Sequence, residues 1–398
     1  MINILLASIL PFFAQCKKEP SIPPLNVESS PVVWMFHTET NAGLAMNNFL
    51  YKNMIIQGIE PSPDNNNSTK IWALTLDSGK VLWHTEIPVR IPIVYEKAIS
   101  KDKYLFVAGG NNLYTINMDN GEIVWSYTDP IAQSSVGVSV IENNVYFSIS
   151  GNRIIQFDIQ TGTPKTILTL YKDDLDNFSP SLSTPSYWKH PSGDDILIMG
   201  NRGYNRTATN NFDRYDMLAY NLSADTMLWY KKGIPGIRGS ISAPLVHSNL
   251  AVFYVERNVE CLDPLNGESI WTHTRHPDDN FSAYKTANIT LWKNILIANP
   301  DSYHLYGIDI FSGNEIWVNP KSGTMPNTTR IGMDKIWYSS GGINCYDAQT
   351  GKTLIDGWRY KDKGSWLNPI AIDEKTGYIY TAAEGTIFCF DSKLLMKK

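Results

Sequence analysis

A short pattern recurs eight times between about residue 70 and the C-terminus, and it restricts this chain more than any other feature. It reads small residue, large apolar residue, Asp or Asn, any two, Ser or Thr, Gly, any three, Trp. The clearest copies run from Ala73 through Gly79 to Trp83, from Thr115 through Gly121 to Trp125, from Cys261 through Gly267 to Trp271 and from Gly307 through Gly313 to Trp317. Weaker copies keep part of it. Phe157-Asp158 has Gly162 but Thr166 at the Trp position, and Cys345-Tyr346-Asp347 has Gly351 but Ile355 there. Ala219-Tyr220-Asn221 has Asp225 at the Gly position and keeps Trp229, while Cys389-Phe390-Asp391 reaches the last residues before any Gly or Trp. The glycines or their equivalents, at 79, 121, 162, 225, 267, 313, 351 and 395, are separated by 42, 41, 63, 42, 46, 38 and 44 residues. A period of this size marks repeated supersecondary units and fits four-stranded propeller blades.

Alternating apolar runs such as Leu105-Phe106-Val107 precede each small-apolar-Asp step, and a second run such as Ile123-Val124-Trp125 follows the Gly. The stretch between is too short for a helix and rich in Asp, Asn, Ser and Gly, so it forms a tight hairpin turn. The last unit lacks its fourth strand. Val32-Val33-Trp34-Met35-Phe36-His37 carries the same apolar run around a Trp and can pair beside Thr386 to Asp391. The expected fold is all-β: an eight-bladed β-propeller of four-stranded blades over residues 32–393, its ring closed by the N-terminal strand, with residues 394–398 as a tail. Closure removes sheet edges that would otherwise seed aggregation. If the weak third unit is not a full blade, the count becomes seven.

The motif resembles that of the propellers built from pyrroloquinoline-quinone-type repeats, over nearly all of the chain after residue 31. The resemblance implies that Trp34, Trp83, Trp125, Trp229, Trp271 and Trp317 dock against neighbouring blades as structural residues.

Residues Ile2 to Ala14 are almost wholly apolar, too short to span a bilayer, and are followed by Cys16-Lys17-Lys18. An apolar run ending at a Cys resembles a bacterial lipoprotein signal, which implies a signal peptide over residues 1–15 and lipid attachment at Cys16. Residues 16–31, rich in proline, read as an extended tether. The expected location is the cell envelope, as an outer-membrane lipoprotein facing the periplasm or the surface.

Hydrophobic residues at 43% and aromatics at 12% are enough for a substantial core. A net charge of −5 argues against nucleic acid, which needs a basic face. Cys261, Cys345 and Cys389 occupy the small-residue position of three separate units, too far apart for a disulfide, and read as buried free thiols.

Catalytic signals are weak. Enzymes of the resembled family bind the quinone with calcium and show an adjacent Cys pair, which this sequence lacks. No cofactor is therefore expected, quinone with calcium being disfavoured, and no metal site or catalytic residue is assigned. His273 and His276 stand three apart on a strand, where they do not share a face, and read as surface histidines. Asp173 to Asn177 lacks the Gly and Glu of a calcium loop and reads as a solvated acidic loop. Neither a phosphate loop nor a Gly-x-Ser-x-Gly elbow occurs.

The irregular spacing points to recognition. The 63-residue gap holds about twenty extra residues, which read as loops carrying Arg202, Tyr204, Arg206, Arg214 and Tyr215, with Trp188 nearby. A smaller excess in the next unit carries Asp278, Asp279, Phe281 and Tyr284. Arg90, Arg238, Ser242, Lys285 and Asn368, at the innermost strands, could line a channel face. Trp188, Trp337, Trp358 and Trp366 suit stacking against sugars in a second reading, in which an envelope sugar-binding protein or a quinone-dependent enzyme holds a ligand there. The organisation is similar to that of the propeller lipoprotein of the outer-membrane β-barrel assembly machinery. That likeness implies a monomeric, non-catalytic scaffold that binds a cell-envelope protein or peptide and meets the membrane through its lipid.

Overall fold

The computed structural model describes residues 30–38, 46–59, 68–89, 91, 98–132, 134–151, 153–169, 178–206, 211–233, 239, 242–277, 289–298, 304–320, 329–339, 341–360 and 369–397. Eight antiparallel sheets form an eight-bladed propeller, seven built from strands that follow one another in the chain and the eighth from the last three strands with the first. The second blade shows the plan: Ala98–Lys101, Tyr104–Gly109, Asn112–Asn117 and Ile123–Thr128 pair in turn. First strands touch between the second and third, fourth and fifth, sixth and seventh, seventh and eighth, and eighth and first blades, so they line the centre of the ring. The weak third unit is a full blade, Ser135–Ile141, Asn144–Ile149, Arg153–Asp158 and Pro164–Thr169, and the count is eight.

Ring closure follows from the pairing of Val32–His37 with Thr386–Asp391, in register from Val32 opposite Phe390 to His37 opposite Thr386. His37 Nδ1 and Thr386 Oγ1 hydrogen-bond at 2.9 Å, and Asp391 N donates to Pro31 O at 2.8 Å. In place of a turn, Ser392–Leu395 forms one helical turn capped by Asp391, and Leu395 is buried.

The repeat is a docking device. In the Asp-x-x-Ser/Thr-Gly turn the Asp carboxylate collects the donors of the loop: Asp309 Oδ1 accepts from Phe311 N at 3.1 Å and from Ser312 N at 2.8 Å and Oγ at 2.9 Å. Those bonds hold its carboxyl below the usual carboxylate range. The Gly closes the turn in the left-handed region, at φ 72° for Gly313. Opposite the repeat's small residue stands the Trp: Ala73 faces Trp83, Cys261 faces Trp271 and Gly307 faces Trp317. Each indole then covers the turn glycine of the following blade, Trp34 on Gly79, Trp83 on Gly121, Trp125 on Gly162, Trp229 on Gly267, Trp271 on Gly313 and Trp317 on Gly351. Five of them also donate from Nε1 to that blade, at 2.8–3.0 Å, to Leu76, Met118, Ile159, Pro264 and Ile310 carbonyls.

The core lies between blades. Met54, Ile56, Ile71 and Ala73 of the first pack with Leu105, Val107 and Ile116 of the second. Cys261, Cys345 and Cys389 are free and buried in three separate blades, where desolvation raises their thiols, to about 12 for Cys261 and Cys389.

Candidate functional site

The fourth blade departs from the plan. Its second and third strands, Asp195–Arg206 and Asn211–Asn221, have 12 and 11 residues, against 6 and 5 for Leu250–Val255 and Asn258–Leu262 in the fifth. Six extra residues per strand lengthen a ribbon by roughly 20 Å. Pairing is unbroken from Ile196 opposite Asn221 to Arg206 opposite Asn211. The outer strand, Thr226–Lys231, stops pairing at Met217, while on the inner side Phe178–Leu182 runs along Asn201 to Asn205. A second short strand, Ser186–Lys189, pairs with Ile196 to Ile198, so the innermost position is divided between two segments.

This corrects the expectation of loops. The residues from Gly200 to Arg206 and from Asn211 to Asp216 are strand, because their backbone groups find partners across the hairpin. Arg202, Arg214 and Tyr215 are not displayed to solvent either: they are 6%, 6% and 2% exposed. Tyr204 and Arg206 sit on the outer half of the hairpin, opposite Asp213 and Asn211. Trp188, 5% exposed on Ser186–Lys189, belongs to the core shared with the fifth blade.

The root of the hairpin is a buried polar anchor. Asp216, fully buried, accepts from Arg214 Nη2 at 2.7 Å and from the Tyr230 hydroxyl on Oδ2, and from Gly233 N at 2.8 Å on Oδ1. Burial first, and the Asp216 carboxylate second, push the Tyr230 phenol up to about 12, so it remains a donor. On the other face Tyr215 is enclosed by Gly200, Gly233 and Gly239, each too close to its atoms to carry a Cβ. A buried ion pair satisfied by further hydrogen bonds fixes one geometry, and glycines let a large ring enter the sheet. Arg214, Tyr230 and Gly233 N converge on the Asp216 carboxylate and hold the root of the hairpin in place.

The remaining expected site residues are scattered. Ser242 is buried, 6% exposed, rather than displayed in a channel. Cys16, Arg90, Arg238, Asp278, Asp279, Phe281, Tyr284, Lys285, Trp366 and Asn368, with Asp173 to Asn177, lie outside the described residues. Trp337 is fully buried, so it and Trp188 serve packing rather than stacking on a ligand. The histidine reading is also corrected. His273 is 9% exposed, and both it and His276 reach Glu315 Oε2 of the sixth blade, at 3.9 and 2.9 Å, because the strand ends at Thr274 and the chain turns before His276. Among the described residues no group of three His, Cys, Asp or Glu side chains could hold a metal ion. The three buried cysteines lie in separate blades and do not form an adjacent pair.

A family model described as outer membrane protein assembly factor BamB matches residues 65–273, which include the long hairpin. The chain belongs to the BamB family of PQQ-like repeat propellers. Among curated proteins none matches the sequence. Solved structures share its fold at low identity. BamB from Moraxella catarrhalis is 12% identical, with a TM-score of 0.59 over 90% of this chain and 98% of that one. The computationally designed Ika8 protein is 14% identical, with a TM-score of 0.65 over 90% and 99%. The quinohemoprotein alcohol dehydrogenase ADHIIG from Pseudomonas putida HK5 is 10% identical, with a TM-score of 0.63 over 90% of this chain and 75% of the enzyme. A BamB-type ring thus shares its architecture with a dehydrogenase and with a designed protein, and architecture alone does not assign chemistry.

Proposed function

We propose that this BamB-type propeller is a non-catalytic scaffold of the cell envelope, held at the outer membrane through lipid on Cys16, which presents its fourth-blade hairpin to an envelope protein and takes part in outer-membrane protein assembly. One observation carries the reading: the hairpin outgrows its own blade and is fixed at its root by the Asp216, Arg214 and Tyr230 anchor. A ribbon that extends past its outer partner strand leaves backbone donors and acceptors at its edge, and a strand from another protein can add to such an edge. The family description and the likeness to BamB agree with a protein partner in the envelope.

The test is crosslinking in intact cells, comparing the natural chain with one in which residues 204–213 are replaced by a two-residue Asn-Gly turn. This shortening spares the anchor, which a cut from Gly200 to Asp216 would destroy. Recovery of one envelope complex by the natural chain and its loss with the short hairpin supports the scaffold. Equal recovery from both chains sinks the role of the hairpin, and absence of any specific complex from either sinks the scaffold.

A further inference from the structure

Two of the eight blade junctions lack the Trp and the turn glycine, and the one between the third and fourth blades holds a cavity. Between the third and fourth blades the outer strand has no Trp, and the register shift that elsewhere falls directly after the small residue lies between Ile154 and Ile155. In consequence Lys165, not Thr166, stands opposite Gln156, which is the place that Ala73 and Trp83 hold in the first blade. The turn glycine of the following blade is also gone. Asp225 takes its position with φ 56°.

The result is a cavity of about 260 Å³ at that junction. Tyr146 forms its floor, 3% exposed, and Tyr187 one wall. Glu142, Asp195 and Asp225 supply three carboxylates to the lining against one lining cation, Lys165, with Lys189 paired to Asp195 beside it. Asp195 is held ionised, below the usual carboxylate range, by Lys189 and by the Tyr187 hydroxyl, which donate to its Oδ1 at 2.6 Å each. Asp225 Oδ1 accepts from the Tyr220 hydroxyl at 2.6 Å and leaves Oδ2 over. Among the described residues the Tyr146 hydroxyl has no hydrogen-bond partner, although the ring is buried. Desolvation, then the charges of Asp195 and Glu142, push its phenol up to about 12, so it keeps its proton. The hydroxyl oxygen itself is not sealed off but opens onto the cavity, where a polar ligand can reach it.

An indole does not replace the missing wedge, because Asp225 brings a Cβ to the spot where glycine admits the ring at six other junctions. An anion meets three carboxylates. A bare metal ion needs ligands that converge, and these do not. An extended organic cation satisfies all the conditions: its N–H groups spread over separated carboxylates, its charge lies against tyrosine faces and one N–H reaches the Tyr146 oxygen.

We propose that the cavity between the third and fourth blades binds an alkylammonium or guanidinium group, either of a free amine or at the end of a basic side chain. This does not depend on the hairpin, which stands in the same blade but uses other residues.

The test is a titration of the full chain, carrying labelled tyrosines, followed by NMR. The probes are Nα-acetyl-arginine methylamide, the free amine agmatine, and the citrulline analogue, which has the shape of arginine without the charge. Tyr146 and Tyr187 signals are expected to move with a cation, with the citrulline analogue at least about tenfold weaker. Asp225→Asn keeps a residue that tolerates positive φ, and Tyr146→Phe keeps the ring; each should weaken the cation about fivefold or more without loss of fold. Stronger binding of the arginine derivative assigns the site to a side chain, and stronger binding of agmatine to a free amine. Signals unmoved by either cation at tens of millimolar, a citrulline analogue that binds as well, or both variants binding as the natural chain does would each overturn the proposal.

Discussion

The indole of Trp83 lies on the backbone of Gly121, one blade away: a Cβ at that glycine would stand 2.6 Å from Trp83 Cε3, and Trp83 Nε1 donates to Met118 O at 3.0 Å. Blade is thus tied to blade by one side chain that uses both its ring and its N–H. Trp83→Ala is expected to cost about 3 kcal/mol. Gly121→Ala, which forces a side chain into the left-handed region under the ring, should cost at least ~1 kcal/mol. Urea unfolding of both variants checks this, and a Gly121→Ala chain as stable as the natural one would mean that the contact is slack.

This docking explains why the fold was legible in the sequence. Small residue, Gly and Trp recur because each fills one place in the same interlock, so their spacing states the blade count. The third blade was faint for a physical reason: its register shift has moved, so Lys165 and Gln156 replace Trp and a small residue. The fourth blade misled for another. Gly200, Arg202, Gly203, Arg214 and Asp216 have a loop-like composition, yet they are buried strand, since charges can be enclosed when they satisfy one another. The pairing of Arg214 with Asp216 two residues on, hence on one face of a strand, was the available signal.

The two parts of the hairpin should respond differently to change. Replacing residues 204–213 by a short turn is expected to shift the unfolding midpoint little, whereas Gly200→Ala, whose new Cβ would run into the Tyr215 hydroxyl, should destabilise by several kcal/mol or prevent folding. Thermal unfolding of both chains decides whether the root and the tip are separable.

Acid should weaken the fifth and sixth blades through His273. Burial lowers its pKa in the folded chain, with Glu315 only partly opposing. The unfolded chain therefore binds the proton first, near about pH 6.5, and stability falls as pH drops through that value. His273→Gln should flatten that slope between about pH 7.5 and about pH 5.5 in urea titrations. An unchanged slope would place the acid sensitivity elsewhere.

Asp129 acts with the same sign in a more acid range. Burial pushes its carboxyl up, but Arg153 at 2.6 and 3.1 Å and the Ala132 and Ile131 N–H groups outweigh it and bring it down to about 2. Its contribution is present above the unfolded carboxylate value and is lost as pH falls through about 2. Asp129→Asn, which leaves Arg153 without its charge partner, is expected to cost about 3 kcal/mol near neutral pH. A neutral-pH stability equal to that of the natural chain would show the pair to be dispensable.

The strand that seals the ring, Val32–His37, and its partner, Thr386–Asp391, come from opposite ends of the sequence. The other blades pair strands that follow one another in the chain, whereas this one joins His37 to Thr386, 349 positions apart, so the circle holds only when both segments are in place. Loss of Val32–His37 or of Thr386–Asp391 would therefore act on the whole circumference, not on one blade, and leave unpaired edges on either side of the gap.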